Sequence, residues 1–262
     1  MKTVDISISS MLLGYLLLLA PVVFFLILRI KLIKDTLISV LRMTIQLLLV
    51  GFYLQFVFEL NAWWLNLLWV LIMISVANAT VIRRANLRQR FLFFPIYPAI
   101  LGGSFAIILY FTLFVIKPSP IFDARYLIPL SGMILGNCLR GNVIALERFY
   151  SSMTKHREQY FTYLTLGAAK KEAILPYLKE AYEAALAPTI ATIATIGLVA
   201  LPGMMTGVIL GGASPMVAIK YQIAIMLAIF SSTAISAFLA IFFSLKVSFD
   251  DYGILRTAIF KN

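Results

Sequence analysis

The chain has 262 residues, of which 62% are hydrophobic and only 13% charged. A water-soluble domain is nearer half apolar and a quarter charged, so lipid must be the solvent for most of this chain. The formal net charge of +11 first asks which side of a membrane the basic residues occupy. The single cysteine, Cys138, excludes an intramolecular disulfide, and the single histidine, His156, excludes HExxH-type zinc chemistry. No Gly-Lys dipeptide occurs, so the chain has no P-loop and no ATPase of its own. No nucleophile–base pair stands out either, which argues against an enzyme.

Crossing about 30 Å of hydrocarbon takes about 20 helical residues. Seven apolar stretches meet that length: Met11–Leu28, Leu37–Phe58, Ala62–Ile82, Phe93–Ile116, Tyr126–Leu146, Ala184–Gly207 and Val217–Leu245. The expected fold is therefore all-α: one polytopic transmembrane domain over residues 1–262. The first stretch lacks the basic leader and cleavage site of a secretory signal, and is expected to be retained. Basic residues follow the odd-numbered spans: Arg29, Lys31 and Lys34; Arg83, Arg84, Arg88 and Arg90; Arg148, Lys155, Arg157, Lys170, Lys171 and Lys179; Lys246, Arg256 and Lys261. The opposite side carries only Lys2, Lys117, Arg125 and Lys220. This asymmetry predicts an N-terminus outside and a C-terminus inside. The charge excess then reports topology and contact with anionic lipid, not nucleic acid.

The second span carries Arg42, Thr44 and Gln46; Arg42 either snorkels to the inner surface or meets a partner within the bundle. The fifth carries Asn137, Arg140 and Asn142 around Cys138, with Gly132 and Gly136 at a spacing that suits close helix approach. Arg140 reads as a snorkelling or Glu147-paired residue, or as part of a passage.

Between the fifth and sixth spans lies the one substantial stretch outside lipid, about residues 147–183. Helix formers dominate it, Gly167 interrupts it, and Pro176 marks a second expected bend. Tyr160, Phe161, Tyr163 and Leu164 before Gly167, and Ala173, Ile174, Tyr177 and Leu178 after it, form apolar stripes. They suit either a partner's groove or the underside of the bundle.

The sixth span has Thr189, Thr192 and Thr195 every three residues, and Gly203, Gly207 and Gly211 every four. Pro202 with Gly203 should break it about 27 Å from Ala184, at 1.5 Å per residue. A break at that depth is a candidate gate. Met204 and Met205 bring soft thioethers there, which read first as packing.

The run Gly197–Leu198–Val199–Ala200–Leu201–Pro202–Gly203–Met204–Met205–Thr206–Gly207, followed by Ala213–Ser214–Pro215 and Ala218–Ile219–Lys220–Tyr221–Gln222, resembles the hallmark of the FetB-like ABC permease family. Arg42–Thr44–Gln46–Leu47, the stretch Ile128–Asn137, Leu166–Gly167–Ala168 and Ala184–Thr189 agree in order, so the resemblance covers roughly residues 10–245. The family includes a proposed bacterial iron exporter and plant aluminium-tolerance proteins. Departures are Val208, where relatives often carry a polar residue, and the polar Arg140 and Asn142.

The resemblance implies a permease subunit in the plasma membrane, paired with itself and with a separate P-loop ATPase that holds ATP and Mg2+. Cofactors of its own are not expected. Leu166, Gly167, Ala168, Lys170 and Lys171 become the expected ATPase-coupling elbow. Arg42, Gln46, Asn137, Arg140 and Pro202, Gly203, Met204, Met205, Thr206 and Gly207 become passage or gate candidates. The expected cargo is exported iron, another metal or a metal-linked solute. Export of a non-metal organic solute, or a self-sufficient channel or secondary transporter, stays open. Proton coupling is disfavoured, because no Asp or Glu lies deep in a span.

Overall fold

The computed structural model describes residues 7–199, 201–250 and 253–261; Lys2 and Ala200 lie outside them. The described chain is all-α. Six helices are long and apolar enough to cross a membrane: α1 (Ser9–Ile27), α2 (Ile33–Leu60), α3 (Trp63–Arg84), α4 (Gln89–Ile116), α5 (Ala124–Lys155) and α9 (Pro215–Ser248). Between the last two lie α6 (Arg157–Thr165), α7 (Lys170–Thr195) and α8 (Gly203–Leu210).

Local chemistry sets the ends. The Ser7 hydroxyl accepts from the Ser10 N–H before α1, and Ser214 accepts from Val217 at the start of α9, where Pro215 takes the first turn. Asn61 ends α2 in the left-handed region at φ 38°. Its side-chain oxygen accepts from the Ala124 N–H (2.9 Å) and from Asn66 Nδ2 (3.2 Å), tying the α2–α3 turn to the start of α5.

The first five crossings run antiparallel in succession, and α7 returns the chain so that α9 runs parallel to α5, with Cys138 beside Ser236 and Tyr150 beside Ser244. The hydroxyls of Tyr15 and Thr44 hydrogen-bond between α1 and α2 (2.7 Å), and the rings of Tyr53 and Trp69 lie 4.2 Å apart between α2 and α3. Asn78 donates to the Phe93 carbonyl between α3 and α4 (3.0 Å). This alternation brings the turns after α1, α3, α5 and α9 to one end of the bundle. There Lys261 Nζ donates to the Arg83 carbonyl (3.1 Å), and Tyr160 donates to the carbonyl of Gly253 (2.8 Å). The basic clusters that the sequence assigns to one side are therefore gathered at one end. The start of α1 lies at the other.

The core is built from α3, α4, α5, α7 and α9, with Ile74, Ile96, Leu127, Ile134, Phe149 and Ile225 fully or almost fully buried. α1 and α2 pack at its margin and expose most of their apolar surface, as lipid-facing helices do. At the centre, α4 passes through a π-helical stretch at Leu101–Phe105. Beside it a polar knot joins three helices: Cys138 Sγ lies 3.3 Å from Ser104 Oγ and 2.9 Å from Ser236 Oγ, and Asn142 Nδ2 donates to Ser236 Oγ at 2.8 Å.

Two expectations need correction. The sixth expected span, Ala184–Gly207, is not a continuous helix. α7 ends at Thr195, Gly197 turns the chain at φ 86°, and Pro202 is the N-cap of α8 and does not break a helix from within. The lost helical geometry begins at Ile196, whose ψ of 135° is extended. Pro176 does not interrupt the helix: it lies inside α7 with Pro188.

Candidate functional site

Two places concentrate the chemistry. The first is a cleft of about 260 Å³ between α5, α7 and α9. Asn137 and Arg140 line it from one side, Pro188, Thr189 and Thr192 from the second, Gln222 from the third, and Pro202 from the segment that follows α7. Asn137 donates to the Met133 carbonyl (2.9 Å), and the Thr192 hydroxyl to that of Pro188 (2.8 Å). Arg140 enters no ion pair among the described residues; the Glu147 pairing considered from sequence does not form. Gln222 is buried, and its side-chain oxygen has no hydrogen-bond partner among the described residues. Orphaned buried oxygens are costly, and of those on Asn66, Asn78, Ser131, Asn142, Gln222 and Thr233 only that of Gln222 belongs to a residue lining this cleft.

The structure thus brings Asn137, Arg140 and Pro202 together with the threonine stripe. Gln46 stands elsewhere, in a wider cleft between α2, α3 and α5 that Gly132 and Gly136 also line. Arg42 is exposed on α2 with no hydrogen bond or ion pair among the described residues, which fits snorkelling. Gly203, Met204, Met205, Thr206 and Gly207 form α8, outside the residues lining the first cleft. Met204 packs on the core. The glycine spacings do not mark the close helix contacts: nothing lies within 4 Å of a Cβ built on Gly136, Gly203 or Gly207. Close contacts occur at Gly103 against Ser236 and at Gly141 against Thr233. Among the described residues no three His, Cys, Asp or Glu cluster to hold a metal, and Cys138 has hydroxyl and amide neighbours.

Sequence reasoning missed Gln222 as a site residue. A single amide within the apolar run of the last span was the available signal, since lipid offers an amide nothing to bond.

The second place is the elbow between α6 and α7, at the basic end. The N–H groups of Gly167 and Ala168 close α6 by donating to the carbonyls of Leu164 and Tyr163, both at 3.0 Å. Gly167 holds φ 91° and Leu166 is 80% exposed. Glu172 accepts from the Ala169 N–H (2.8 Å) to start α7. Lys170 sits over the Phe249 ring at 4.8 Å, while Lys171 borders a groove between α7 and α9 with Leu175 and Phe242. The stripes weighed as partner-facing surface largely face inward: Tyr160, Ala173, Ile174 and Tyr177 are buried in the bundle. What projects is the bend itself.

The elbow is anchored to the end of α5. Glu180 accepts from the Ser152 hydroxyl (2.7 Å) and pairs with Arg148 (2.8 Å), and Tyr177 donates to the His156 carbonyl (3.3 Å). The Ser152 hydrogen bond, aided by Arg148, holds the Glu180 carboxyl below its ordinary value of 4.5. A depressed carboxyl stabilises the fold above the unfolded value and loses that contribution as pH falls through the folded one. Protection of the α7 amides against hydrogen exchange, measured relative to intrinsic exchange at each pH, is therefore expected to fall below about pH 4.5 in the wild type and to change far less with pH in Glu180→Gln. Equal pH responses in the two would remove Glu180 as the anchor.

Residues 8–249 match the model of the "Uncharacterised protein family (UPF0014)". A Synechocystis relative, "UPF0014 membrane protein slr1647", is 39% identical over 74% of this chain and 75% of its own. "UPF0014 membrane protein STAR2" of Oryza sativa subsp. japonica is 33% identical over 88% and 80%. "Probable iron export permease protein FetB" of Escherichia coli is 30% identical over 83% of both chains. No solved structure matches. With the family model spanning nearly all of the described bundle, this chain belongs to the UPF0014 family of membrane proteins.

Proposed function

We propose that this chain is the permease subunit of an ABC transporter, an ATP-driven exporter of iron, another metal or a metal-linked solute. The observation that carries the proposal is the elbow: a rigidly anchored helical bend whose tip, Leu166–Gly167, projects from the basic end of a polytopic bundle that has no P-loop. The relative named as an iron export permease supports the same reading. A separate ATPase, holding ATP and Mg2+, would seat Leu166 and the flanking Lys170 and Lys171. Its closure would move α6 and α7 together with the end of α5 and relative to α9, because Glu180 and Tyr177 tie α7 to Ser152, Arg148 and His156. That motion changes the walls of the Arg140 cleft, which α7 helps to line. Export to the N-terminal side follows if the basic end faces the cytoplasm, as the charge asymmetry implies for a plasma-membrane protein.

A permease pair also suits the structure. Leu198 and Val199 are 90% and 82% exposed on non-helical backbone beside the cleft, and irregular backbone at membrane depth needs protein or water around it. A second copy would supply that cover. The proposal is tested by co-expressing the chain with a P-loop ATPase subunit from the same organism and reconstituting the purified complex. ATP-dependent loading of inverted vesicles with iron or an iron chelate supports it; flux that persists without any ATPase sinks it.

A further inference from the structure

We propose that the cleft between α5, α7 and α9 binds an organic anion bearing hydroxyl groups, Arg140 taking the charge and the Gln222 and Asn137 side-chain oxygens taking the hydroxyls. This rests on the permease reading only in calling the ligand a cargo.

The donor and acceptor inventory leads there. Arg140 contributes a guanidinium with five N–H donors and no counter-ion among the described residues, and no Asp or Glu lines the cleft. A bare metal cation would be repelled, and would find no carboxylate, thiolate or imidazole on the walls. Arg140 is an exposed residue on the wall of the cleft, and an anion gives its guanidinium a charged partner. An anion lacking donors would nevertheless leave the rest of the wall unanswered. The Gln222 oxygen is buried and unpartnered, at 6% residue exposure. Asn137 has spent a side-chain N–H on Met133, and the Thr192 hydroxyl has spent its proton on Pro188, so both present oxygen lone pairs. The Gln222 amide N–H groups and the second N–H of Asn137 stand beside these acceptors, and a ligand hydroxyl, which both donates and accepts, answers both. The cleft's 260 Å³ corresponds to the share of roughly nine waters in the liquid, enough for a sugar-acid-sized molecule.

A polyhydroxylated carboxylate and a sugar phosphate share this chemistry. If a metal is the ultimate cargo, it crosses inside such a chelating anion. The test uses the full-length chain in phosphatidylcholine nanodiscs, without ATP or ATPase, titrated calorimetrically with gluconate and glucose 1-phosphate. Sorbitol lacks the charge and hexanoate lacks the hydroxyls; ferrous ion alone is the third control. At least one of the two anions should bind, with all three controls weaker by about tenfold or more. A preference for gluconate assigns a carboxylate ligand, and a preference for glucose 1-phosphate a phosphate.

Arg140→Gln should weaken binding about tenfold or more, and Arg140→Lys should keep most of it. Gln222→Leu should narrow the preference for gluconate over hexanoate. Size-exclusion elution identical to wild type checks that each variant folds. Absence of anion binding in the wild type, unchanged affinity in Arg140→Gln, or sorbitol binding as well as gluconate overturns the proposal. Because no ATPase is present, such a failure leaves the elbow reading untouched. A silent ATPase assay, conversely, leaves this site standing.

Discussion

Gly167→Pro is expected to reduce ATP turnover in the reconstituted complex to that of the ATPase alone, while the permease still assembles. Gly167 sits at φ 91°, a left-handed conformation that proline, fixed near −65°, cannot take. Proline also removes the N–H that donates to the Leu164 carbonyl and closes α6. The damage should stay local, because α6 and α7 are fixed to the bundle on either side of the bend by Tyr160, Ala173 and the Glu180 cluster. Gly167→Asn is the control: asparagine tolerates the left-handed region, so stimulation should largely survive. The measurement is ATP hydrolysis by the complex in lipid, with and without each variant. Full stimulation by Gly167→Pro would remove the elbow from the mechanism.

Gly103→Ala should destabilise the protein by about 1–3 kcal/mol, the usual range for overpacking a well-filled core. A Cβ on Gly103 would lie 2.7 Å from the backbone nitrogen of Ser236 and 2.8 Å from its Cα, so α4 and α9 must move apart. Separation also strains the knot, since Ser236 accepts from Asn142 and contacts Cys138. The adjacent Gly102 has nothing within 4 Å of its built Cβ. Gly102→Ala should therefore be neutral, or stabilising by up to about 1 kcal/mol through helix propensity. Unfolding of the two variants in the same detergent, followed by circular dichroism, gives the comparison. Equal stability of the two would mean that the α4–α9 contact is looser than described.

Hydropathy made the crossings legible, because lipid demands long unbroken apolar helices and sixfold repetition of that signal leaves little ambiguity. The stretch Ala184–Gly207 misled for the same reason: it is apolar enough to span, yet one helix ends at Thr195 and the next begins only at Gly203, with Gly197 and Pro202 between them. Pro202 advertised a break, but the turn begins at Ile196, where backbone conformation and not composition decides. Asn137 and Arg140 were visible as polar residues in a span. That Gln46 belongs to a different cleft was not, since which helix faces which is a tertiary fact. The glycine spacings at 132/136 and 203/207 suggested close packing and do not show it within this chain. The contacts that do require glycine, Gly103 and Gly141, carry no spacing motif that marks them. Gly167 was legible as an elbow because a glycine in a run of helix formers has few other uses.

On the proposed function, a separate nucleotide-hydrolysing subunit grips the bend at Leu166. In a Cys138→Ser background, Leu166→Cys carrying a short photoreactive label can be irradiated in membranes of cells that co-express the chain and a P-loop ATPase subunit. The account expects a cross-link to the ATPase from position 166, and none from the same label at Val115, near the opposite end of the bundle. Labelling of Leu166→Cys by a membrane-impermeant thiol reagent added only from outside intact cells, with no ATPase adduct, would contradict it.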